Sequence, residues 1–171
     1  MSTLAPSTSP RGRGATGFAQ GGGGLPQYVG IGGWVRHPRS FDAGDLERIG
    51  AVDIRNFVVR CTVDGEHGGA RSMRAVPLRA LIGLSEPAFA ERTDFKRAAI
   101  VAVGIDDYRA LFSWTELFHT TVGNGVFLAF DSPLARLDAR TGPFALLSLH
   151  DEFTGPRFVR QLASVELHRL W

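Results

Sequence analysis

A single cysteine, Cys61, and a single lysine, Lys96, occur among the 171 residues of this chain. One thiol cannot close an intrachain disulfide, so Cys61 is a small buried side chain, a reactive group or a metal ligand. The scarcity of lysine leaves the basic side of the composition to arginine. Lys and Arg together number 19 against 17 Asp and Glu, for a formal net charge of +2 and a pI near 9.2. Guanidinium is planar, permanently charged and suited to bidentate pairing, so this balance favours recognition of phosphate, carboxylate or sulfur oxyanions. Nucleic acid is not indicated: the arginines are dispersed, and no basic run is interleaved with aromatics as a strand-binding groove requires.

Long apolar runs are missing too, and no stretch approaches the roughly 20 residues that a membrane-spanning helix needs. Residues Met1 to Gly24 are dominated by Ser, Thr, Pro, Gly and Arg and lack the apolar centre of a secretory signal. A cytoplasmic location is therefore expected for the chain as given, and a periplasmic one if its start has been trimmed. The histidines, His37, His67, His119, His150 and His168, have neither the paired spacing nor the companion cysteines of a zinc site. No glycine-flanked serine elbow supports acyl transfer, and Gly21–Gly24 lacks the lysine and helix start of a phosphate loop.

What is present is enough for one core. Residues 1–25 have the composition of a flexible tail, and residues 26–171 are expected to form one domain. Tyr28 to Val35 reads as a strand ended by Arg36-His37-Pro38. A helix follows with Asp42 as N-cap, Asp45 completing the cap, Phe41 and Leu46 spaced as a hydrophobic staple and Gly50 as the stop. Ile54 to Val63 reads as a strand carrying Cys61, and Asp64 to Arg74 as an exposed loop. Val76-Pro77-Leu78 opens a short helix with Leu78, Leu81 and Ile82 facing inward. Ala98–Val103 and Tyr108–Phe112 suggest a hairpin, and Ser113 with Glu116 a capping box; Phe127–Phe130, Ala145–Leu149 and Ala163–Leu167 are further strands. Many strands and few short helices, without repeated βαβ units, predict an α+β domain with mixed or antiparallel sheets.

Several motifs in this order carry a resemblance. Gly32-Gly33-Trp34-Val35-Arg36-His37-Pro38 is followed by Val58-Val59-Arg60-Cys61, then by Val76-Pro77-Leu78-Arg79-Ala80-Leu81-Ile82 and Asp106-Asp107-Tyr108. Phe112-Ser113, Glu116-Leu117, Phe127-Leu128-Ala129, Ser132-Pro133-Leu134, Thr141-Gly142-Pro143 and Gly155-Pro156-Arg157-Phe158-Val159-Arg160 complete the series. From about Tyr28 to Leu167 the chain resembles the molybdopterin-binding domain of the sulfite oxidase family. That resemblance implies the family's α+β fold and two-electron oxygen-atom transfer on a small oxyanion or oxide, with a redox partner protein. It implies Cys61 as the catalytic thiolate ligand to molybdenum, the pterin dithiolene supplying two more sulfurs. Soft sulfur donors suit a metal that changes oxidation state while oxo groups come and go. By position Arg157 and Arg160 are the leading cofactor contacts. Arg60 and Arg74, or Arg79, are further candidates for the pterin phosphate or an anionic substrate.

The residues themselves leave a second reading open. Cys61 also reads as a buried strand-end hydrophobe, and Arg157 and Arg160 as strand-edge partners of Asp151 or Glu152. Ala75 stands where the family has glycine, no tryptophan lies within Asp64 to Ala75, Ala145 follows Gly142-Pro143-Phe144 where an arginine is usual, and Asp107 replaces a glycine and is expected to alter its turn. These differences thin the shell around a cofactor. They fit a cofactor-free module that keeps the fold and binds an anionic ligand or partner.

Overall fold

The computed structural model describes residues 24–63 and 65–171. Of the expected tail, residues 1–23 lie outside the described residues, as does Asp64. The order of elements is β1 (Val29–Gly33), β2 (Arg39–Phe41), α1 (Ala43–Gly50), β3 (Val52–Cys61), β4 (Gly65–Pro77), α2 (Leu78–Ser85), β5 (Ala98–Gly104), β6 (Arg109–Ser113), α3 (Trp114–His119), β7 (Val126–Phe130), β8 (Phe144–Ser148) and β9 (Leu162–Arg169). The described residues form a five-stranded sheet, β2-β1-β9-β5-β6, and a four-stranded sheet, β3-β4-β7-β8. Pairing is antiparallel except between β1 and β9, which joins the first and last strands in parallel. The chain is thus α+β with two sheets and few short helices.

Local signals set the helices. Asp42 accepts from the Asp45 amide at 2.7 Å and Asp45 reciprocates at 3.1 Å, a complete capping box at the start of α1. Ser113 and Glu116 repeat the arrangement at α3. In α2, Leu78, Leu81 and Ile82 are all buried, as their spacing predicts.

Strands β7 and β8 read as unbroken apolar runs because both faces of their sheet are covered. Val76, Leu128, Phe130, Phe144 and Leu146 point into the main core shared with the five-stranded sheet. Their neighbours Met73, Ala75, Ala129, Ala145 and Leu147 point the other way and pack with Phe57, Val59 and Phe158 in a second cluster. Ala145 is fully buried there.

One expectation is corrected. The segment expected to be an exposed loop, Asp64 to Arg74, is mostly strand: β4 runs back along β3 from Cys61↔Gly65 to Val52↔Ala75. Its inward side is carried by small or unbranched residues such as Met73 and Ala75, and its glycines and arginines conceal the alternation. Asp107 lies in the β5–β6 turn. It adopts φ +64°, a left-handed conformation that aspartate tolerates better than most residues, and its carboxylate takes two hydrogen bonds from Arg109.

Candidate functional site

Strand β3 lies at the edge of its sheet and ends at Cys61, whose side chain is half-buried against the second core cluster. One flank of the sulfur is closed by the turn Thr154–Arg157. An added Cβ on Gly155 would lie 2.5 Å from Cys61 Sγ and 2.9 Å from the Arg60 carbonyl oxygen, so only glycine lets this turn approach the thiol so closely. Cys61 and Gly155 together line a cleft of about 510 Å³. Val59, Phe158 and Cys61 form part of its wall, Arg71 enters from β4, and Asp106 and Tyr108 enter from the β5–β6 turn. Asp138, Arg140 and Thr141 come from the β7–β8 connection and Arg160 from the segment before β9. Both sheets therefore contribute to the site.

The cleft is rich in guanidinium groups in unequal states. Arg71 Nη1 donates to Asp138 at 2.7 Å and to Thr141 Oγ1 at 2.9 Å, so its charge is largely committed. Burial works to raise the Asp138 carboxyl, but the Thr141 hydrogen bonds and the Arg71 charge outweigh it and hold the group below the usual carboxylate range. Arg140 and Arg160 are exposed and form no ion pair among the described residues. Two uncommitted guanidiniums thus face the same space as the thiol.

The arginines expected to hold a cofactor are distributed differently. Arg160 lines the cleft, whereas Arg157 does not. Arg157 donates to both oxygens of Asp151, at 2.7 and 2.6 Å, and to Glu116 at 2.6 Å, with its guanidinium carbon 4.5 Å from the Phe112 ring centroid. Burial disfavours its charge, yet the Asp151 and Glu116 hydrogen bonds raise its pKa. Arg60 is exposed and pairs with Glu66 at 3.0 Å. Arg74 is paired with Glu47 at 2.6 Å and Asp53 at 3.0 Å, and these hydrogen bonds, Glu47 first, push its pKa up. It sits nine residues along β4 from the partner of Cys61, roughly 30 Å away at the rise of an extended strand. Arg79 donates to Asn124 at 2.7 Å. His67 lies in β4 opposite Val59.

Sequence reading did not nominate Arg71, Arg140 or Tyr108 as site residues. Arg140 lies in a polar segment whose register with Cys61 is set only by the pairing of β3, β4, β7 and β8, so no local signal marks it. Tyr108 had one, its place in Asp106-Asp107-Tyr108. Among the described residues no group of three or more His, Cys, Asp or Glu side chains is placed to hold a metal ion. A metal at Cys61 would therefore have at most two such ligands among the described residues and would bring its other donors with it. One thiol beside a ligand-sized cleft lined by arginines that form no ion pair among the described residues leaves room for a cofactor that brings its own donors and an anionic group, and does not fit a zinc or calcium site.

No family model matches the chain, and no curated protein matches it in sequence. The fold is similar to that in the crystal structure of the sulfane dehydrogenase SoxCD from Paracoccus pantotrophus, with a TM-score of 0.61 and 16% identity, covering 84% of this chain and 38% of that one. At that identity the likeness shows the fold alone, and this chain spans well under half the length of the matched protein. The architecture that brings Cys61 to the cleft is thus one also found in a dehydrogenase.

Proposed function

We propose that this chain is a molybdopterin-dependent oxidoreductase domain of the sulfite oxidase type, performing two-electron oxygen-atom transfer on a small oxyanion or oxide, with Cys61 as the protein ligand to molybdenum. The observation that carries the reading is the position of the Cys61 sulfur beside Gly155, in the wall of a cleft that Arg140 and Arg160 also line, neither of them ion-paired among the described residues. The fold shared with a sulfane dehydrogenase is compatible with this reading and does not by itself name the substrate. When bound, a molybdenum pterin supplies a two-electron centre able to exchange an oxygen atom.

The chain's own residues supply anchorage and charge. Cys61 as thiolate is the metal ligand, and its half-burial limits water access to the sulfur. Arg160 and Arg140 are the groups that would take the pterin phosphate or an anionic substrate, since a guanidinium without a carboxylate partner can pair with an incoming oxyanion. Arg71 is fixed by Asp138 and Thr141, so its charge is largely offset within the cleft wall. Arg60 borders the open end of β3, whereas Arg157 and Arg74 act through their carboxylate partners. Electrons released in the reaction must leave to an acceptor, so a redox partner protein belongs to this reading.

Protein made in a host that synthesises the cofactor should carry molybdenum near one equivalent, and Cys61→Ala should lose it. Metal-free protein from such a host would sink the proposal. The alternative is a cofactor-free module that binds an anion in the same cleft, favoured by the exposure of Arg140 and Arg160. Under it, Cys61→Ala leaves stability and anion binding nearly unchanged.

A further inference from the structure

The turn Thr154–Arg157 is held to the body of the protein by contacts that converge on Cys61. Strand β3 is an edge strand, and edge strands leave backbone groups without a ladder partner. Here one hydroxyl supplies two of those partners. Thr154 Oγ1 donates to the Val58 carbonyl oxygen at 2.9 Å and accepts from the Arg60 amide at 2.9 Å, taking the place of a neighbouring strand immediately before the cysteine. Thr154 is 5% exposed, so water does not compete for these bonds. On the far side of the turn, the Tyr108 hydroxyl donates to the Pro156 carbonyl oxygen at 2.7 Å, tying it to the β5–β6 turn of the other sheet. Arg157 ends the turn in its paired carboxylates, Asp151 and Glu116.

From this arrangement we infer that Thr154 and Tyr108 are positioning residues for Cys61, clamping the Gly155 turn against the sulfur so that the thiol faces the cleft in one orientation. The inference rests on Cys61 being the working group of the cleft, and it assigns Arg157 to the same clamp rather than to ligand contact. A turn attached only for overall stability has no reason to press a Cβ-less residue onto the one thiol. The contact of Gly155 with Cys61 Sγ links the clamp to that side chain directly.

Alkylation of Cys61 by iodoacetamide in metal-free protein at fixed neutral pH tests the clamp without any molybdenum activity, so its failure and that of the redox reading are separable. Thr154→Val keeps the shape but removes both hydrogen bonds. It should raise the alkylation rate about five- to tenfold by letting the turn open locally. Thr154→Ser retains the hydroxyl and should restore the wild-type rate. Tyr108→Phe removes one bond at an exposed position and should give a smaller rise of about twofold to fivefold, carrying the test where Thr154→Val fails to fold. Wild-type alkylation rates in folded Thr154→Val or in Tyr108→Phe would overturn the inference, as would Thr154→Ser reacting as fast as Thr154→Val.

Discussion

Gly155 is packed against Cys61 with no room to grow: a methyl group at 155 would sit 2.5 Å from the sulfur, well inside van der Waals contact. Overpacking of this kind forces neighbours off their preferred positions at a cost of about 1–3 kcal/mol. Gly155→Ala should therefore lower stability by about that amount in denaturant unfolding. Because the Arg60 carbonyl oxygen lies nearly as close, adding Cys61→Ala should recover only part of the loss, with a coupling of about 1 kcal/mol. Additive single effects in that double-mutant cycle would show that the two residues do not compete for the same space.

Arg157 and Arg74 each neutralise two carboxylates, which makes their removal a matter of stability. Arg157→Ala leaves Asp151, whose side chain is 9% exposed, and Glu116 facing each other without a counter-charge. A loss of about 2–3 kcal/mol is expected. Arg74→Ala should cost less, because Asp53 is largely solvated. Neither substitution should change anion binding at the cleft directly, which isothermal titration with sulfate would check at a temperature where both variants are folded. Weakened sulfate binding in Arg74→Ala would contradict the separation of that residue from the site.

Acid stability should depend on Asp94, which is almost fully buried and accepts from the amides of Ala90 at 2.9 Å and Glu91 at 3.0 Å. The Glu91 amide lowers its pKa from the ordinary 3.8, burial opposes this, and the Ala90 amide with the charges of Arg169 and Arg97 adds to the lowering. A carboxyl depressed in the folded state stabilises fully above its unfolded pKa and loses that contribution as pH falls through the folded value. The contribution of Asp94 is therefore complete at pH 6 and declines from about pH 4 downward. Asp94→Asn should be less stable than wild type at pH 6, with the difference narrowing toward pH 3 in urea titrations. A constant difference across that range would remove Asp94 from the acid response.

Much of the fold was legible because its signals are local. The capping boxes at Asp42 and Ser113, the inward stripe of α2 and the β5–β6 hairpin each declare themselves within a few residues. Strand β4 did not, because its partner β3 supplies the order that its own glycines and arginines obscure, and a strand's pairing is a tertiary property. The site divides in the same way. Cys61 was found as the lone thiol at a strand end, and Arg160 through a motif. Arg71 and Arg140 reach the cleft only because β3 and β4 turn back on each other and the β7–β8 connection lies across their end. Arg157 shows the limit of motif position: the charge was read correctly, but Asp151 and Glu116 determine where it points.

The cleft itself can be tested through Arg140 and Arg160. Exposed and without carboxylate partners among the described residues, they contribute little to folding, so Arg140→Ala/Arg160→Ala should change stability in anion-free buffer by less than about 1 kcal/mol. Their effect should emerge when an oxyanion is added. A ligand that binds only the folded state raises stability in proportion to the logarithm of its concentration over Kd, by about 2.7 kcal/mol at one hundred times Kd. Sulfate and phosphate should therefore raise the melting temperature of the wild type more than chloride at equal ionic strength, and this excess should fall by at least half in the double variant. General salt effects act on both proteins alike and cancel in the comparison. Arg71→Ala should also reduce the excess, but with a loss of stability in plain buffer, because Asp138 and Thr141 lose their donor. Equal oxyanion stabilisation of wild type and double variant would show that the anion binds elsewhere, and the cleft beside Cys61 would lose its claim to an anionic ligand.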